Sequence, residues 1–100
     1  MRDFSYKRVD TLSAAQDATV LPAHMLLAGG TTLVDLMKCG VAAPETLVDI
    51  TRLEGLDGVT VDGTGAHIGA LAKMSRVADD AAILDAFPAV AQSLSLAASP

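Results

Sequence analysis

Two adjacent glycines constrain the fold of this 100-residue chain more than any other feature of its sequence. Gly29 and Gly30 follow a run of four apolar residues, 25–28, and precede Thr31 and Thr32. A continuous apolar run is typical of a strand buried on both faces. Glycine allows a sharp turn with a positive φ, and threonine is a frequent helix N-cap. The segment therefore predicts a buried strand, a tight turn and a helix that ends at Gly40.

The same turn is suited to binding an anion. It leaves backbone N–H groups free at the positive end of the helix dipole, where phosphate groups bind. The hydroxyls of Thr31 and Thr32 add two further donors. The loop is neither a Walker A loop, which needs Gly-Lys-Ser/Thr, nor the three-glycine Rossmann fingerprint. By itself the pattern is somewhat more typical of a plain strand-to-helix turn with a threonine cap, so both interpretations stay open.

The flanking segments predict a small parallel sheet. A second apolar run, 47–50, follows the predicted helix, and strand, helix and strand in this order indicate a right-handed βαβ unit. The alternation of residues 4–6 predicts a short edge strand. Ser13 and Gln16 have the spacing of a capping box, which predicts a short helix to about Ala18.

The pattern changes near residue 56. Residues 59–61 and 66–68 flank Asp62-Gly63-Thr64-Gly65, which predicts an antiparallel hairpin on an Asp-Gly turn. We therefore expect two subdomains, 1–56 and 57–100, the second beginning with this hairpin.

Two helices are predicted after the hairpin. One covers about 75–79 with Ser75 as its cap, and one covers about 88–98, with Pro88 in its first turn. The Asp79-Asp80 pair is expected in the loop that ends the first of them. Because the last helical pattern is still running at Pro100, we expect the sequence to be the front part of a longer protein.

Composition excludes several functions. Twelve Asp and Glu against seven Lys and Arg give a net charge of −5, which argues against binding nucleic acid. No apolar run approaches the ~18 residues of a membrane span. The first residues lack the apolar core of a secretory signal, which predicts a cytoplasmic protein.

Cys39, His24 and His67 are isolated from other ligand types, so no metal site or catalytic residue is expected. Asp49, which interrupts an apolar strand, is expected to act as a cap or in a salt bridge.

Five segments, in order, resemble a known family: Phe4-Ser5-Tyr6-Lys7-Arg8, residues 27–38 (LAGGTTLVDLMK), residues 44–50 (PETLVDI), Ile68-Gly69-Ala70-Leu71, and residues 88–99, which end in Ala-Ser. Together they are similar to the N-terminal portion of the FAD-binding medium subunit of the molybdenum hydroxylases. This family includes xanthine dehydrogenase, carbon monoxide dehydrogenase and aldehyde oxidoreductase. The sequence Leu-Val-Asp-Leu-Met-Lys after the glycines resembles the bacterial aldehyde oxidoreductase branch most closely.

The resemblance implies an α+β fold of the PCMH-type FAD-binding class, incomplete in these residues. A small parallel βαβ subdomain would be followed by the start of an antiparallel subdomain, with FAD lying between them. The backbone amides of the glycine pair and the two threonines would be the main donors to the FAD diphosphate. Amides at a helix N-terminus hold a diphosphate without a lysine. The residues implied to line this site are Met25, Leu26, Leu27, Ala28, Gly29, Gly30, Thr31, Thr32 and Leu33.

The resemblance also implies partners. The molybdenum cofactor would lie in a large subunit and iron–sulfur clusters in a small subunit. Electrons would pass from these to FAD and then to an outside acceptor, and export together with a partner subunit is compatible with this role.

Two alternatives stay open. Because the second flavin loop of the family, Thr-x-Gly-Gly-Asn, does not occur in these 100 residues, the chain is alternatively an interaction module of the same fold without flavin. The other is a different phosphate-binding α/β protein.

Overall fold

Two compact units make up the chain, Met1–Glu54 and Gly55–Pro100. The computed structural model describes residues 2–97. The domain boundary expected from the sequence, between residues 56 and 57, stays a prediction. The first unit contains three strands and two helices: β1 (Ser5–Arg8), α1 (Leu12–Thr19), β2 (His24–Leu27), α2 (Thr31–Lys38) and β3 (Thr46–Asp49).

The strands of the first unit form a parallel sheet in the order β1-β3-β2. The central strand β3 carries the apolar run predicted at 47–50, and Val48 is fully buried. Apolar residues on both faces are what a central parallel strand requires. The register places Arg8 of β1 and Leu27 of β2 on either side of Asp49, so the three strands end together at one edge of the sheet. The predicted parallel arrangement is confirmed.

The prediction that residues 25–28 form a strand buried on both faces is wrong. The strand covers His24–Leu27, and the side chains of Met25 and Leu26 are 39% and 41% exposed. The reason is its position in the sheet: β2 pairs with β3 on one side and is an edge strand. Helix α1 packs against it. Strand order, rather than local hydropathy, decides which of the two apolar runs is buried.

Two predicted helix caps are also wrong. The N-cap of α1 is Thr11, whose hydroxyl accepts a hydrogen bond from the N–H of Ala14 at 3.1 Å, and Ser13 lies inside the first turn. This start places Ala15 and Ala18, three residues apart, on one buried face. Ser75 likewise lies inside its helix, which begins after Lys73.

The second unit combines a hairpin with three helices: β4 (Val59–Asp62), β5 (Gly65–Ile68), α3 (Met74–Ala78), α4 (Ala81–Ala86) and α5 (Pro88–Ala97). The predicted antiparallel hairpin is confirmed, although its two loop residues are Gly63 and Thr64. Helices α3 and α4 pack against α5, and α4 also contacts β4. The core of the unit is Val77, Ile83 and Ala91, with Val59, Val61, Ala72, Phe87 and Leu94 packed around it.

Helix α4 was not expected from the sequence. Its N-cap is Asp80, whose Oδ1 accepts hydrogen bonds from the N–H groups of Ala82 and Ile83 at 3.0 and 3.1 Å. Asp79 is the C-cap of α3, so the acidic pair lies at the end of that helix, as expected, and forms the two-residue link to α4. The predicted end of the last helix, Ala98, lies outside the described residues. No helix within residues 2–97 is long and apolar enough to cross a bilayer.

Candidate functional site

Three residues, Ala28-Gly29-Gly30, join β2 to α2 and form the glycine loop, and Thr31 and Thr32 begin the first turn of the helix. Gly30 is the N-cap of α2 and has a left-handed backbone, with φ of +80°. The predicted threonine cap is wrong, since Thr31 is the first helical residue and no side chain caps the helix. A left-handed φ favours glycine at this position because a Cβ atom would be strained there.

Four backbone N–H groups at this turn have no acceptor within α2. The first bond of the helix runs from the N–H of Val34 to the carbonyl oxygen of Gly30, at 2.9 Å. The N–H groups of residues 30–33 precede this bond and so have no partner in the helical ladder. They lie at the positive end of the helix dipole. Gly29, Thr31 and Thr32 are exposed, so the turn is open to a ligand.

The two glycines differ in the space around them. A Cβ atom at Gly30 would lie 3.1 Å from Cδ1 of Leu27 and 3.6 Å from Cγ2 of Val34, whereas one at Gly29 would meet no atom within 4 Å. Gly30 is therefore required by the fold of the loop, and Gly29 leaves open space beside the donors. Unpaired amides, exposed hydroxyls and open space fit a diphosphate, the part of FAD that a helix N-terminus can hold.

The structure places the nine residues predicted for the site in two groups, one in β2 and one at the start of α2. Residues 29–33 lie together at the helix start. Met25 and Leu26 lie within β2, and neighbouring side chains of a strand point to opposite faces of the sheet. Leu27 and Ala28, both half-buried, connect the two groups. A ligand contact by each of these residues stays a prediction.

Beside the glycine loop, at the same edge of the sheet, lies a polar group that we call the Asp49 cluster: Tyr6, Arg8, Asp49 and Thr51. Oδ1 of Asp49 accepts hydrogen bonds from the N–H and the hydroxyl of Thr51, at 2.8 and 2.6 Å. Oδ2 accepts one from the hydroxyl of Tyr6 and lies 3.8 Å from Nε of Arg8. The salt-bridge role predicted for Asp49 is confirmed.

These contacts keep Asp49 ionised although the residue is only 7% exposed. The hydroxyl of Thr51, followed by that of Tyr6, lowers the pKa of the carboxyl group, against the effect of burial. The hydrogen bond with Tyr6 raises the pKa of Arg8 above its already high value. The sequence signal for this cluster was an aspartate in an apolar strand with a threonine two residues later.

The hairpin repeats the aspartate–threonine arrangement in an exposed position. Oδ1 of Asp62 accepts hydrogen bonds from the N–H and the hydroxyl of Thr64, also at 2.8 and 2.6 Å. Nε2 of His67 lies 3.7 Å from the other carboxylate oxygen, Oδ2 of Asp62. In the part of the chain that the structure describes, no three His, Cys, Asp or Glu side chains group as metal ligands would.

Comparison with known proteins gives a consistent result. Residues 2–100 match the family described as the FAD binding domain in molybdopterin dehydrogenase. The FAD-binding subunit PaoB of the aldehyde oxidoreductase of Escherichia coli K12 is 42% identical over 80 residues, which cover 78% of this chain and 25% of the relative. The carbon monoxide dehydrogenase medium chain of Hydrogenophaga pseudoflava is 35% identical over 75 residues, covering 75% of this chain and 26% of the relative. The chain thus spans about a quarter of the length of these relatives.

Solved structures agree. The carbon monoxide dehydrogenase from Hydrogenophaga pseudoflava that lacks the Mo-pyranopterin moiety superimposes with a TM-score of 0.83 at 29% identity, over 99% of this chain and 35% of that one. Reconstituted CO dehydrogenase from Oligotropha carboxidovorans has a TM-score of 0.83 at 27% identity, over 95% and 34%. The α+β class expected from the sequence is therefore confirmed.

Proposed function

Since the chain belongs to the family of FAD-binding domains of molybdopterin dehydrogenases, we propose that it binds FAD in an electron-transfer subunit of a molybdenum hydroxylase. The observation that carries the proposal is the start of α2. There the N–H groups of residues 30–33 have no helical acceptor and the loop beside them is open. FAD, when bound, supplies the electron transfer, and the protein supplies binding and orientation.

The glycine loop holds the diphosphate of FAD in this proposal. Its amides donate to the phosphate oxygens, and the exposed hydroxyls of Thr31 and Thr32 add donors at the rim. The left-handed Gly30 turns these groups in one direction, and the absence of a side chain at Gly29 lets the ligand approach the backbone. No lysine is needed, because the helix dipole favours the negative charge.

The partners are part of the same proposal. We place the molybdenum cofactor in a large subunit and the iron–sulfur clusters in a small one, so that FAD on this protein passes electrons to an outside acceptor. The relatives carry names such as FAD-binding subunit and medium chain, which support a multi-subunit oxidoreductase. We assign no substrate chemistry to residues 2–97. The cytoplasmic location predicted from the sequence is kept as part of the proposal.

Flavin retention tests the proposal. The native protein that contains this chain is purified, mixed with excess FAD and desalted, and its absorption at about 450 nm is recorded. Retained flavin bands, together with competition by ADP for FAD binding, are expected if the loop holds the diphosphate. A colourless protein with the circular dichroism of a folded chain would identify a flavin-free interaction module. Retention of a different phosphate compound in place of FAD would identify a phosphate-binding α/β protein of another kind.

A further inference from the structure

The carboxyl ends of β1 and β3 are joined to one another at Asp49. Its carboxylate accepts a hydrogen bond from Tyr6 and faces Arg8, both on β1, and its backbone oxygen accepts a bond from the N–H of Val9 at 3.2 Å. The same carboxylate fixes the turn after β3 through the two bonds from Thr51. Both oxygens of the buried carboxylate are thus engaged, and they hold β1 and the end of β3 in one arrangement.

The turn fixed in this way is connected directly to the glycine loop. Ile50 lies between Asp49 and Thr51, and its N–H donates to the carbonyl oxygen of Leu27 at 3.0 Å. Leu27 is the last residue of β2, and its Cδ1 lies 3.1 Å from the position that a Cβ atom at Gly30 would take. The backbone of Ile50 is therefore bonded to the residue at which β2 ends and the glycine loop begins.

We infer that Asp49 is a positioning residue for FAD, which it affects through Thr51, Ile50 and Leu27 without touching the ligand. The inference rests on the proposed function, because it concerns the direction in which the loop amides point. The cluster holds its geometry through directional hydrogen bonds to a charged group, which are stronger than neutral ones. Loss of one bond loosens the end of β2, and the amides of residues 30–33 then lose their common direction.

Thr51→Val is the variant that tests the inference. It removes the hydroxyl donor to Asp49 and keeps the backbone N–H donor. Thr64→Val is its matched control, because it removes a hydroxyl bond of the same length, 2.6 Å, to an aspartate two residues earlier in the hairpin. Thr51→Ser keeps the hydroxyl and is the conservative rescue. Tyr6→Phe, at an exposed side chain, removes the donor to the other oxygen.

FAD affinity is measured in the native protein by the quenching of flavin fluorescence. The unfolding of each variant is measured at increasing concentrations of urea. We expect Thr51→Val and Tyr6→Phe to weaken FAD binding roughly three- to tenfold. Thr51→Ser and Thr64→Val should bind FAD as the wild type does, and the urea curves should show that every variant is folded in the absence of urea. Wild-type affinity in Thr51→Val, or equal losses in Thr51→Val and Thr64→Val, would overturn the positioning role alone. A wild-type protein that binds no FAD would overturn the proposed function as well.

Discussion

The hydroxyl of Tyr6 donates a hydrogen bond to Oδ2 of Asp49, a residue 43 positions later in the chain. The bond joins the edge strand β1 to the central strand β3. Together with the bonds from Thr51 it keeps an aspartate ionised inside an apolar sheet. The contact links the stability of the first unit to the protonation of a single carboxyl group.

Stability should therefore depend on pH through Asp49. The pKa of this carboxyl group is lowered from its ordinary value of 3.8 in the folded protein. Its stabilising contribution is present at pH values above 3.8 and is lost as the pH falls through the lowered pKa. Asp49→Asn should lower the free energy of unfolding by about 1–3 kcal/mol at pH 7. Urea unfolding at a series of pH values should show this difference narrowing in acid.

Asp62→Asn is the control for this measurement. Asp62 has the same pair of threonine donors and a lowered pKa, but it is exposed. Water replaces the lost partners there, so its effect on unfolding should be clearly smaller than that of Asp49→Asn. Equal effects of the two variants would contradict a special role of the buried cluster.

Gly30→Ala should weaken FAD binding by about tenfold, because a left-handed backbone strains alanine by about 1–2 kcal/mol and relief of that strain would move the loop amides. The new methyl group would also press on Leu27, 3.1 Å away. Gly30→Val should abolish flavin retention. Gly40→Ala is matched in backbone strain, with φ of +76°, but has open space and lies at the other end of α2. FAD titration should show a loss for Gly30→Ala and none for Gly40→Ala, and undiminished binding by Gly30→Val would refute the loop assignment.

Gly69→Ala should destabilise the second unit by about 2–4 kcal/mol. An added Cβ atom would lie 2.1 Å from the carbonyl oxygen of Leu56, a backbone atom that a rotamer change cannot move away. Gly63→Ala, in the hairpin loop, meets no atom within 4 Å and is the control. Urea unfolding compares the two, and a nearly unchanged midpoint in Gly69→Ala would show that the backbone yields there.

Thr11→Ala should lower the free energy of unfolding by about 1 kcal/mol, the usual effect of losing an N-cap hydroxyl. Ser13→Ala should have little effect, because Ser13 is an exposed residue inside α1. Thermal unfolding of both variants separates the observed cap from the capping box that the sequence predicts. A larger loss of stability in Ser13→Ala than in Thr11→Ala would instead support the capping box.

Cys39→Ser should leave flavin content unchanged. The thiol is exposed at the C-cap of α2, where it lines a pocket with Arg2 and Lys38, one helix length from the glycine loop. Flavin absorption of the variant and of the wild type, purified in parallel, checks this. A marked loss of flavin would give the thiol a role in the binding region.

The features predicted correctly are those with a local cause. The parallel direction of the strands follows from the succession of strand, helix and strand. The hairpin follows from the Asp-Gly turn between residues 59–61 and 66–68. Burial of β2 could not be predicted locally, because residues 25–28 and 47–50 are similarly apolar and the strand order decides between them. The cap of α1 is Thr11, two residues before the Ser13 that the capping-box spacing indicates, and both residues carry a hydroxyl that could cap a helix.

The candidate site divides in the same way. The glycine loop is contiguous in sequence, so its position was predicted, although Gly30 and not threonine caps the helix. The Asp49 cluster joins residues 6, 8, 49 and 51, which come together only when β1 and β3 pair. The sequence marked Asp49 as unusual and could not supply its partners.

The strand order also sets when the first unit can fold during synthesis. Because β3 lies between β1 and β2, neither of the earlier strands has a partner until residues 46–49 have been translated. Until then β2 has no strand to pair with, and α1, which packs against β2 in the folded unit, is already available to cover its apolar side chains. The hairpin of the second unit needs no such delay, since its strands are adjacent and such pairs form within about 1–10 μs. The strand that leads into the glycine loop can thus pair only after about twenty further residues, up to the end of β3, have been synthesised.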